Sequence, residues 1–185
     1  MASPFQIRQA AFYLRAGGVI AYPTETVYGL GCDPLDRDAV QRILELKQRP
    51  QEKGLILIGA ELSQLRPFID IDDPAFLAKL TQAQQRPTTW ICPTRPHTPT
   101  WLSGKHHSIA VRISQHPIAQ QLCEIFGGAI VSTSCNPAGL TPARSILGVR
   151  RYFADRLEYV LGGANDTNAQ PSRIIDLISG KIIRN

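Results

Sequence analysis

The sequence lacks the glycine-rich motifs with which many proteins hold nucleotide phosphates. Its 185 residues contain neither G-x-x-x-x-G-K-[ST] nor G-x-G-x-x-G, which excludes a P-loop and the dinucleotide-binding fingerprint. No apolar run approaches the roughly 18 residues that a membrane-spanning helix needs, so we expect no membrane association. Residues 1–9 show no charged segment followed by an apolar one, so we expect no secretory signal and a cytoplasmic protein.

Paired cysteines and basic blocks are also missing. Cys32, Cys92, Cys123 and Cys135 are far apart in the sequence, whereas zinc ligands are usually closely paired and disulfide scaffolds are denser in cysteine. We therefore expect buried thiols and no protein-held metal site. The net charge of +5 is dispersed along the chain. It fits an anionic partner such as nucleotide, pyrophosphate or RNA, and it equally fits a mildly basic surface.

Helical and strand-like patterns alternate along the chain. Helices are predicted over 5–16, 36–47, 74–84, 118–126 and 146–153. Strands are predicted over 19–22, 55–58, 89–92, 108–113, 129–133, 159–161 and 174–177, with a terminal hairpin through 181–184. No linker divides residues 1–185, and the alternation is irregular. The sequence therefore predicts one α/β domain with a mixed sheet flanked by helices, rather than a doubly wound nucleotide fold.

The segment 23–31, PTETVYGLG, follows a predicted buried strand directly and is expected to be a loop. Thr24, Thr26 and Tyr28 supply hydroxyl groups, and Glu25 supplies a carboxylate, so the segment offers donors and acceptors to a polar ligand. Its glycines permit a positive φ or a close backbone approach. A polar turn that satisfies its own backbone explains the same residues.

Lys47 and Arg49 lie at the end of the helix predicted over 36–47. The apolar stripe through Val40, Ile43 and Leu44 places Lys47 on the inward face, where a cation requires an anion. Alternatively, both cations complement the helix dipole and bond the last carbonyls of the helix.

Three further segments carry polar groups beside predicted strands. Residues 132–139, STSCNPAG, offer Ser134 and Asn136 to a phosphate, or form a turn that bonds its own backbone. Arg112 lies within a strand pattern, where it requires a carboxylate from a ligand or from an internal Asp or Glu. Ser172 precedes a strand in a loop that could reach the same crevice, although an ordinary connecting loop fits equally well.

Taken in order, these segments resemble the YrdC/TsaC family of threonylcarbamoyl-AMP synthases over nearly the whole chain. The matching motifs are PTETVYGLG at 23–31, KQRP at 47–50, KGLILI at 53–58, SIAVRIS with HP at 108–117, STSCNPAG at 132–139 and PSRIIDL at 171–177. The resemblance is to the short, single-domain form. It implies a twisted mixed sheet with a basic concave surface.

The resemblance implies a nucleotidyltransferase that converts L-threonine, bicarbonate or CO2, and ATP into threonylcarbamoyl-AMP and pyrophosphate. The product would serve threonylcarbamoyl (t6A) modification of adenosine 37 in ANN-decoding tRNAs, through a separate transferase complex. Lys47 and Arg49 would act on the triphosphate, with Ser134 and Asn136 completing the adenylate site. The threonine side would comprise Thr24, Thr26, Tyr28, Arg112 and Ser172. Mg²⁺ would accompany ATP, bound through phosphate oxygens and water.

Two other functions remain alternatives at this point. A module that binds structured RNA through a basic concave surface, without chemistry, also explains the positive charge. An enzyme that carbamoylates a different acceptor would need the same kinds of binding residues. The family resemblance leads us to expect indirect contact with tRNA, whereas the RNA-binding alternative implies direct contact.

Overall fold

The computed structural model describes residues 2–165 and 170–185. The helices are α1 (Pro4–Arg15), α2 (Arg37–Lys47), α3 (Leu62–Leu65), α4 (Pro74–Thr81), α5 (Thr100–Ser103), α6 (Pro117–Phe126) and α7 (Ile146–Phe153). The strands are β1 (Ile20–Pro23), β2 (Tyr28–Gly31), β3 (Ile56–Gly59), β4 (Thr88–Pro93), β5 (Ser108–Ile113), β6 (Ile130–Ser134), β7 (Tyr159–Val160), β8 (Arg173–Asp176) and β9 (Ile182–Arg184).

The strands form one mixed sheet in the order β7-β1-β2-β6-β3-β5-β4-β8-β9. The pairs β1–β7, β3–β5 and β4–β8 are parallel, and the other neighbours are antiparallel. Apolar residues of α1 and α6 form one buried cluster with β1 and β6, whereas α2 and α7 contribute to a second cluster. The structure thus confirms the predicted α/β class with a mixed sheet and flanking helices.

Helix α2 illustrates how local sequence determines an element that leads to the site. The carboxylate of Asp36 caps its first turn by accepting hydrogen bonds from the backbone N–H groups of residues 38 and 39, both at 3.0 Å. Val40 and Ile43 are fully buried and fix the inward face. The helix ends at Lys47 because Gln48 adopts a left-handed conformation, with φ 51°.

The predicted loop at 23–31 is wrong over its second half, which is strand β2. The strand pairs with β1 from Ile20↔Gly31 to Pro23↔Tyr28, so the loop is only residues 24–27. Position 31 requires glycine because neighbouring atoms approach its Cα closely, and not because its φ is positive. A Cβ there would lie 2.8 Å from Cε1 of Tyr22 and 2.9 Å from the carbonyl oxygen of Val131.

Two short helices, α3 and α5, had no counterpart among the predicted elements, because four residues are too few to display a helical period. All four cysteines are buried with free thiols. Within residues 2–165 and 170–185, no helix has the length and apolar character needed to cross a membrane. The same residues contain no group of three or more metal-binding side chains.

Candidate active site

One cavity of about 550 Å³ brings together side chains from distant parts of the sequence. Its walls come from the 24–27 loop, β2, the segment after α2, β5, β6, and the β8–β9 edge. Seven of the predicted site residues line it, namely Thr24, Thr26, Tyr28, Arg49, Arg112, Ser134 and Ser172. Lys47 and Asn136 do not contribute to this lining and lie in the protein wall behind Ser134.

The 24–27 loop presents its two threonines to the cavity while closing a turn of its own. The Thr24 hydroxyl donates a 2.7 Å hydrogen bond to the carbonyl of Val27, and the Thr24 N–H donates to the same carbonyl at 3.2 Å. Tyr28 donates its hydroxyl proton to the carbonyl of Gly163 at 2.9 Å. The loop therefore satisfies part of its own polarity, as expected of a polar turn, and it also lines the cavity.

Arg112 forms an ion pair inside the cavity wall. Its Nη2 lies 3.4 Å from Oε2 of Glu25, and both side chains are 11% exposed. Glu25 Oε1 also accepts hydrogen bonds from the Ser114 hydroxyl at 2.8 Å and from the Gln115 N–H at 3.0 Å. Burial alone would raise the pKa of Glu25, but Arg112 and these hydrogen bonds lower it below its usual value. The internal carboxylate expected for Arg112 is thus Glu25.

Lys47 points inward, as the helical stripe predicted, and is 5% exposed. Its Nζ donates hydrogen bonds to the carbonyl of Ser134 and, at 2.9 Å, to the carbonyl of Asn136. Within residues 2–165 and 170–185 it forms no ion pair. Burial, reinforced by the charge of Arg49, lowers the pKa of Lys47 to about 8. Lys47 therefore fixes the 134–136 backbone beside the cavity.

Arg49 reaches the cavity because the left-handed Gln48 turns the chain after α2. Its guanidinium donates to the carbonyl of Gly54 from Nη2 at 2.9 Å and from Nε at 3.2 Å. Partial burial lowers its pKa. These bonds use one edge of the guanidinium and hold it in a fixed orientation, as recognition of a phosphate requires.

Asn136 behaves as the turn-forming alternative predicted. Its side-chain amide donates to the carbonyls of Pro137 at 2.9 Å and Leu140 at 2.7 Å. Its Oδ1 is buried without a hydrogen-bond partner among the residues that the structure describes. Ser134, at the end of β6, lines the cavity directly.

Ser172 joins the cavity through the β8–β9 edge. Its hydroxyl accepts hydrogen bonds from Thr89 at 3.1 Å and from Nη2 of Arg184 at 3.1 Å, and its carbonyl accepts from Nη2 of Arg184 at 2.8 Å. Arg184 lines the cavity as well. Burial, together with the charges of Arg112 and Arg86, lowers the pKa of Arg184. Arg184 was missed in the sequence because nothing in the predicted terminal hairpin relates it to Ser172.

The charge of the lining is one-sided. Arg49, Lys53, Arg112 and Arg184 supply cations, and no Asp or Glu belongs to the lining within the described ranges. Ser103 and His106, from α5 and the segment after it, are further lining residues that sequence reasoning missed. A cavity with this composition suits a ligand that carries several negative charges and hydrogen-bonding groups.

Comparison with known proteins relates this chain to a family. A family model described as "Telomere recombination", for Sua5, YciO and YrdC, matches residues 13–185. A threonylcarbamoyl-AMP synthase of Cellvibrio japonicus is 50% identical over 179 residues, which cover 97% of this chain and 95% of that protein. The enzyme of the same name from Marinobacter nauticus is 51% identical over 180 residues, with the same coverage.

Solved structures agree with these relatives. The P. abyssi Sua5 protein complexed with L-threonine is 34% identical, with a TM-score of 0.85, over 94% of this chain and 51% of that one. This chain thus spans about half the length of that protein. E. coli YciO is 28% identical, with a TM-score of 0.82, over 100% of this chain and 91% of that one. The chain belongs to the Sua5/YciO/YrdC family.

Proposed function

We propose that this protein is an L-threonylcarbamoyladenylate synthase, a nucleotidyltransferase that condenses L-threonine, bicarbonate or CO2, and ATP. The observation that carries the proposal is one cavity whose lining contains the five predicted threonine residues and two of the four predicted phosphate residues, Arg49 and Ser134. Curated relatives about half identical to this chain bear the name threonylcarbamoyl-AMP synthase. The Sua5 structure with L-threonine supports the amino-acid substrate.

The proposed chemistry depends on positioning and on positive charge rather than on a protein nucleophile. The amine of threonine captures CO2 to form a carbamate, and a carbamate oxygen attacks the α-phosphorus of ATP. The bond from that phosphorus to the bridging oxygen breaks, and pyrophosphate leaves. Negative charge grows on phosphoryl oxygens, which Arg49 would stabilise, with the Ser134 hydroxyl as a hydrogen-bond donor; both residues line the cavity.

The threonine end of the cavity is assigned to the remaining lining residues. Arg112 would bind the substrate carboxylate, because its planar fork suits two oxygens at once. The hydroxyls of Thr24, Thr26 and Ser172 would contact the polar groups of the amino acid, and Tyr28 would form part of the wall. A carboxylate bound at Arg112 would hold the amine toward the phosphate side.

Lys47 and Asn136 would act from behind the phosphate side. Two protons of the Lys47 ammonium are committed to carbonyls, which leaves one donor for a phosphate oxygen. The side-chain amide of Asn136 donates to the carbonyls of Pro137 and Leu140, so one of these bonds would have to be exchanged on binding for Asn136 to donate to a phosphate oxygen. These assignments follow from the family resemblance and from the contacts of the two side chains.

Mg²⁺ is expected to enter with ATP. The described lining offers hydroxyls and no carboxylate, so the donor set fits an ion held mainly by phosphate oxygens and water. Such an ion neutralises phosphate charge when bound. The product is proposed to serve the t6A modification of tRNA through a separate transferase complex in the cytoplasm, so that contact with tRNA is indirect.

An RNA-binding module without chemistry is the weaker candidate. A basic surface would bind RNA without a walled cavity, and it would not need an arginine that is 11% exposed within that wall. An enzyme with another carbamoyl acceptor would use the cavity equally well. The choice of threonine is supported by the Sua5 complex.

The test is release of pyrophosphate from ATP and bicarbonate by the full chain, with and without L-threonine. We expect release that depends on threonine, and threonylcarbamoyl-AMP detectable by mass spectrometry. Release that ignores threonine, or no release, would refute the synthase. Turnover driven by carbamoyl phosphate in place of bicarbonate would favour a different carbamoylation reaction.

A further inference from the structure

Glu25 stands between two threonines of the cavity wall but does not line the cavity itself. Thr24 and Thr26 do line it, so the loop alternates its side chains between the cavity and the protein interior. Glu25 is 11% exposed and turns toward the end of β5. A carboxylate buried to this degree is costly unless it is paired and hydrogen-bonded. The groups that contact Glu25 therefore explain how its charge is accommodated at this position.

Among the residues that the structure describes, three partners of the Glu25 side chain come from one short segment, Arg112–Gln115. Oε2 faces Nη2 of Arg112 at 3.4 Å, while Oε1 accepts from the Ser114 hydroxyl at 2.8 Å and from the Gln115 N–H at 3.0 Å. One oxygen is thus fixed by the backbone and a hydroxyl, and the other is turned to the guanidinium. This arrangement prevents the carboxylate from rotating away from Arg112.

The guanidinium of Arg112 is incompletely hydrogen-bonded by the described residues. Its Nε is buried without a hydrogen-bond partner among the described residues. Ser114, which donates its hydroxyl proton to Oε1 of Glu25, is fully buried, so it holds this oxygen in place. A guanidinium that must meet a substrate carboxylate bidentately has to keep its plane and direction before the substrate arrives, and supporting side chains do this in binding sites.

We infer that Glu25 is a positioning residue for substrate recognition: it orients Arg112 for the α-carboxylate of the amino acid. The inference rests on the proposed function, because it takes Arg112 as the carboxylate ligand. Glu25 acts through Arg112 and touches no substrate atom. It also joins the 24–27 loop to β5, so the loop and the arginine keep one geometry.

Two opposing effects decide the outcome of removing the Glu25 charge. Without Glu25, the arginine loses its orientation, which weakens binding of a carboxylate. Its positive charge is also no longer partly neutralised, which strengthens that binding. The inference requires orientation to dominate, because a bidentate contact depends on direction more steeply than a Coulomb attraction does.

The experiment compares Glu25→Gln with the wild type by titrating L-threonine and L-threoninamide, whose carboxylate is replaced by a neutral amide, into the full chain. We expect Glu25→Gln to raise the Kd for threonine about tenfold and to change the Kd for threoninamide by less than twofold. In threonine-dependent pyrophosphate release, KM for threonine should rise while KM for ATP stays unchanged. Glu25→Asp, which keeps the charge, should recover part of the affinity for threonine.

Glu158→Gln is the matched control, because Glu158 forms a 2.8 Å ion pair with Arg42 and does not line the cavity. It should leave both dissociation constants unchanged. Ser114→Ala, which removes one donor to Glu25 and keeps the ion pair, should weaken threonine binding by an intermediate factor. It provides the test should Glu25→Gln fail to fold.

Three results would overturn the inference, namely tighter threonine binding, unchanged threonine binding, or an equal loss for threonine and threoninamide in Glu25→Gln. The last result would assign Glu25 to loop structure alone. Failure of the wild-type chain to bind threonine would instead refute the proposed function. The two failures are therefore distinguishable in one set of titrations.

Discussion

Lys47, which is buried, and Arg112, which is 11% exposed, are two cations beside the same cavity, and the protein surrounds them differently. Arg112 has a carboxylate, Glu25, at 3.4 Å. Lys47 has only the carbonyl oxygens of Ser134 and Asn136, with no ion pair among the described residues. Carbonyl dipoles offset a buried charge less completely than a carboxylate does, so burial lowers the pKa of Lys47 to about 8.

The comparison assigns different tasks to the two cations. A cation paired inside the protein is held in one direction, which suits recognition of a small carboxylate. A cation without a counter-ion keeps most of its attraction for a strongly anionic ligand, which suits a triphosphate. We therefore expect Arg112 to contribute mainly to orientation and Lys47 mainly to electrostatic stabilisation.

The largest expected effect comes from Lys47→Met, which keeps the volume of the side chain and removes its charge. Activity in threonine-dependent pyrophosphate release should fall by a hundredfold or more, because a preorganised cation near the reacting phosphates is lost. The free energy of unfolding, measured in urea, should change by no more than about 1 kcal/mol, because relief from burying a charge without a counter-ion offsets the loss of the hydrogen bonds to the Ser134 and Asn136 carbonyls.

Lys105→Ala is the control for this substitution, since Lys105 is exposed and outside the main cavity lining. It should leave activity and stability unchanged. An active Lys47→Met protein would remove the distinction between the two cations and would leave Lys47 with only its role of fixing the 134–136 backbone.

The next largest expected effect is the pH dependence that Lys47 gives to stability and activity. The pKa of Lys47, about 8, lies below its ordinary value of 10.5. Between these values the unfolded chain binds more protons than the folded one, so this group makes the free energy of unfolding rise with pH. Activity should move in the opposite direction, with kcat/KM falling by up to tenfold per pH unit above pH 8, because the cation is lost.

At acid pH the corresponding group is Glu25, and the sign is the same: between its lowered pKa and its ordinary pKa, the free energy of unfolding rises with pH. Its pKa is lowered, so its stabilising contribution is complete above its ordinary pKa and is lost as pH falls through the lowered value. Lys47→Met should abolish the alkaline rise in stability and leave the acid limb intact. A wild-type kcat/KM that stays constant from pH 7 to 10 would contradict the role given to the Lys47 charge.

The smallest effect concerns Gln48, whose left-handed backbone separates Lys47 from Arg49. Glycine adopts this conformation without the cost that a side chain incurs. Gln48→Gly should therefore raise the free energy of unfolding by up to about 1 kcal/mol, with activity unchanged within a factor of about two. Gln41→Gly in the middle of α2 is the control and should lower it by about 1 kcal/mol. Equal losses in both variants would contradict this account of the turn.

Much of the sheet could be predicted from the sequence because its strands are short apolar runs between turn signals. Strand β3 and helix α2 follow their patterns within one residue. Strand β2 could not be found in this way, because Tyr28 and two glycines resemble a polar loop when considered alone. Its identity depends on pairing with β1 and β6, which is tertiary information.

The site likewise contains residues that could be predicted from the sequence and contacts that could not. Seven predicted residues meet in one cavity because the segments that carry them converge there: the 24–27 loop, β2, the residues after α2, β5, β6 and the residue before β8. The partner of Arg112 could be predicted only as some internal carboxylate, because the choice of Glu25 depends on how two segments far apart in the sequence fold together. Arg184 could not be predicted as a site residue for the same reason, since its contact with Ser172 is made between two strands.

The contact between Arg184 and Ser172 has a practical consequence for handling the protein. Arg184 is the residue before the last one in the sequence, and it forms part of the cavity wall. An affinity tag or fluorescent label attached after residue 185 would therefore begin close to the cavity wall. The residues of α1 do not contribute to the lining, so tags and surface attachment for binding measurements belong at the amino-terminal end.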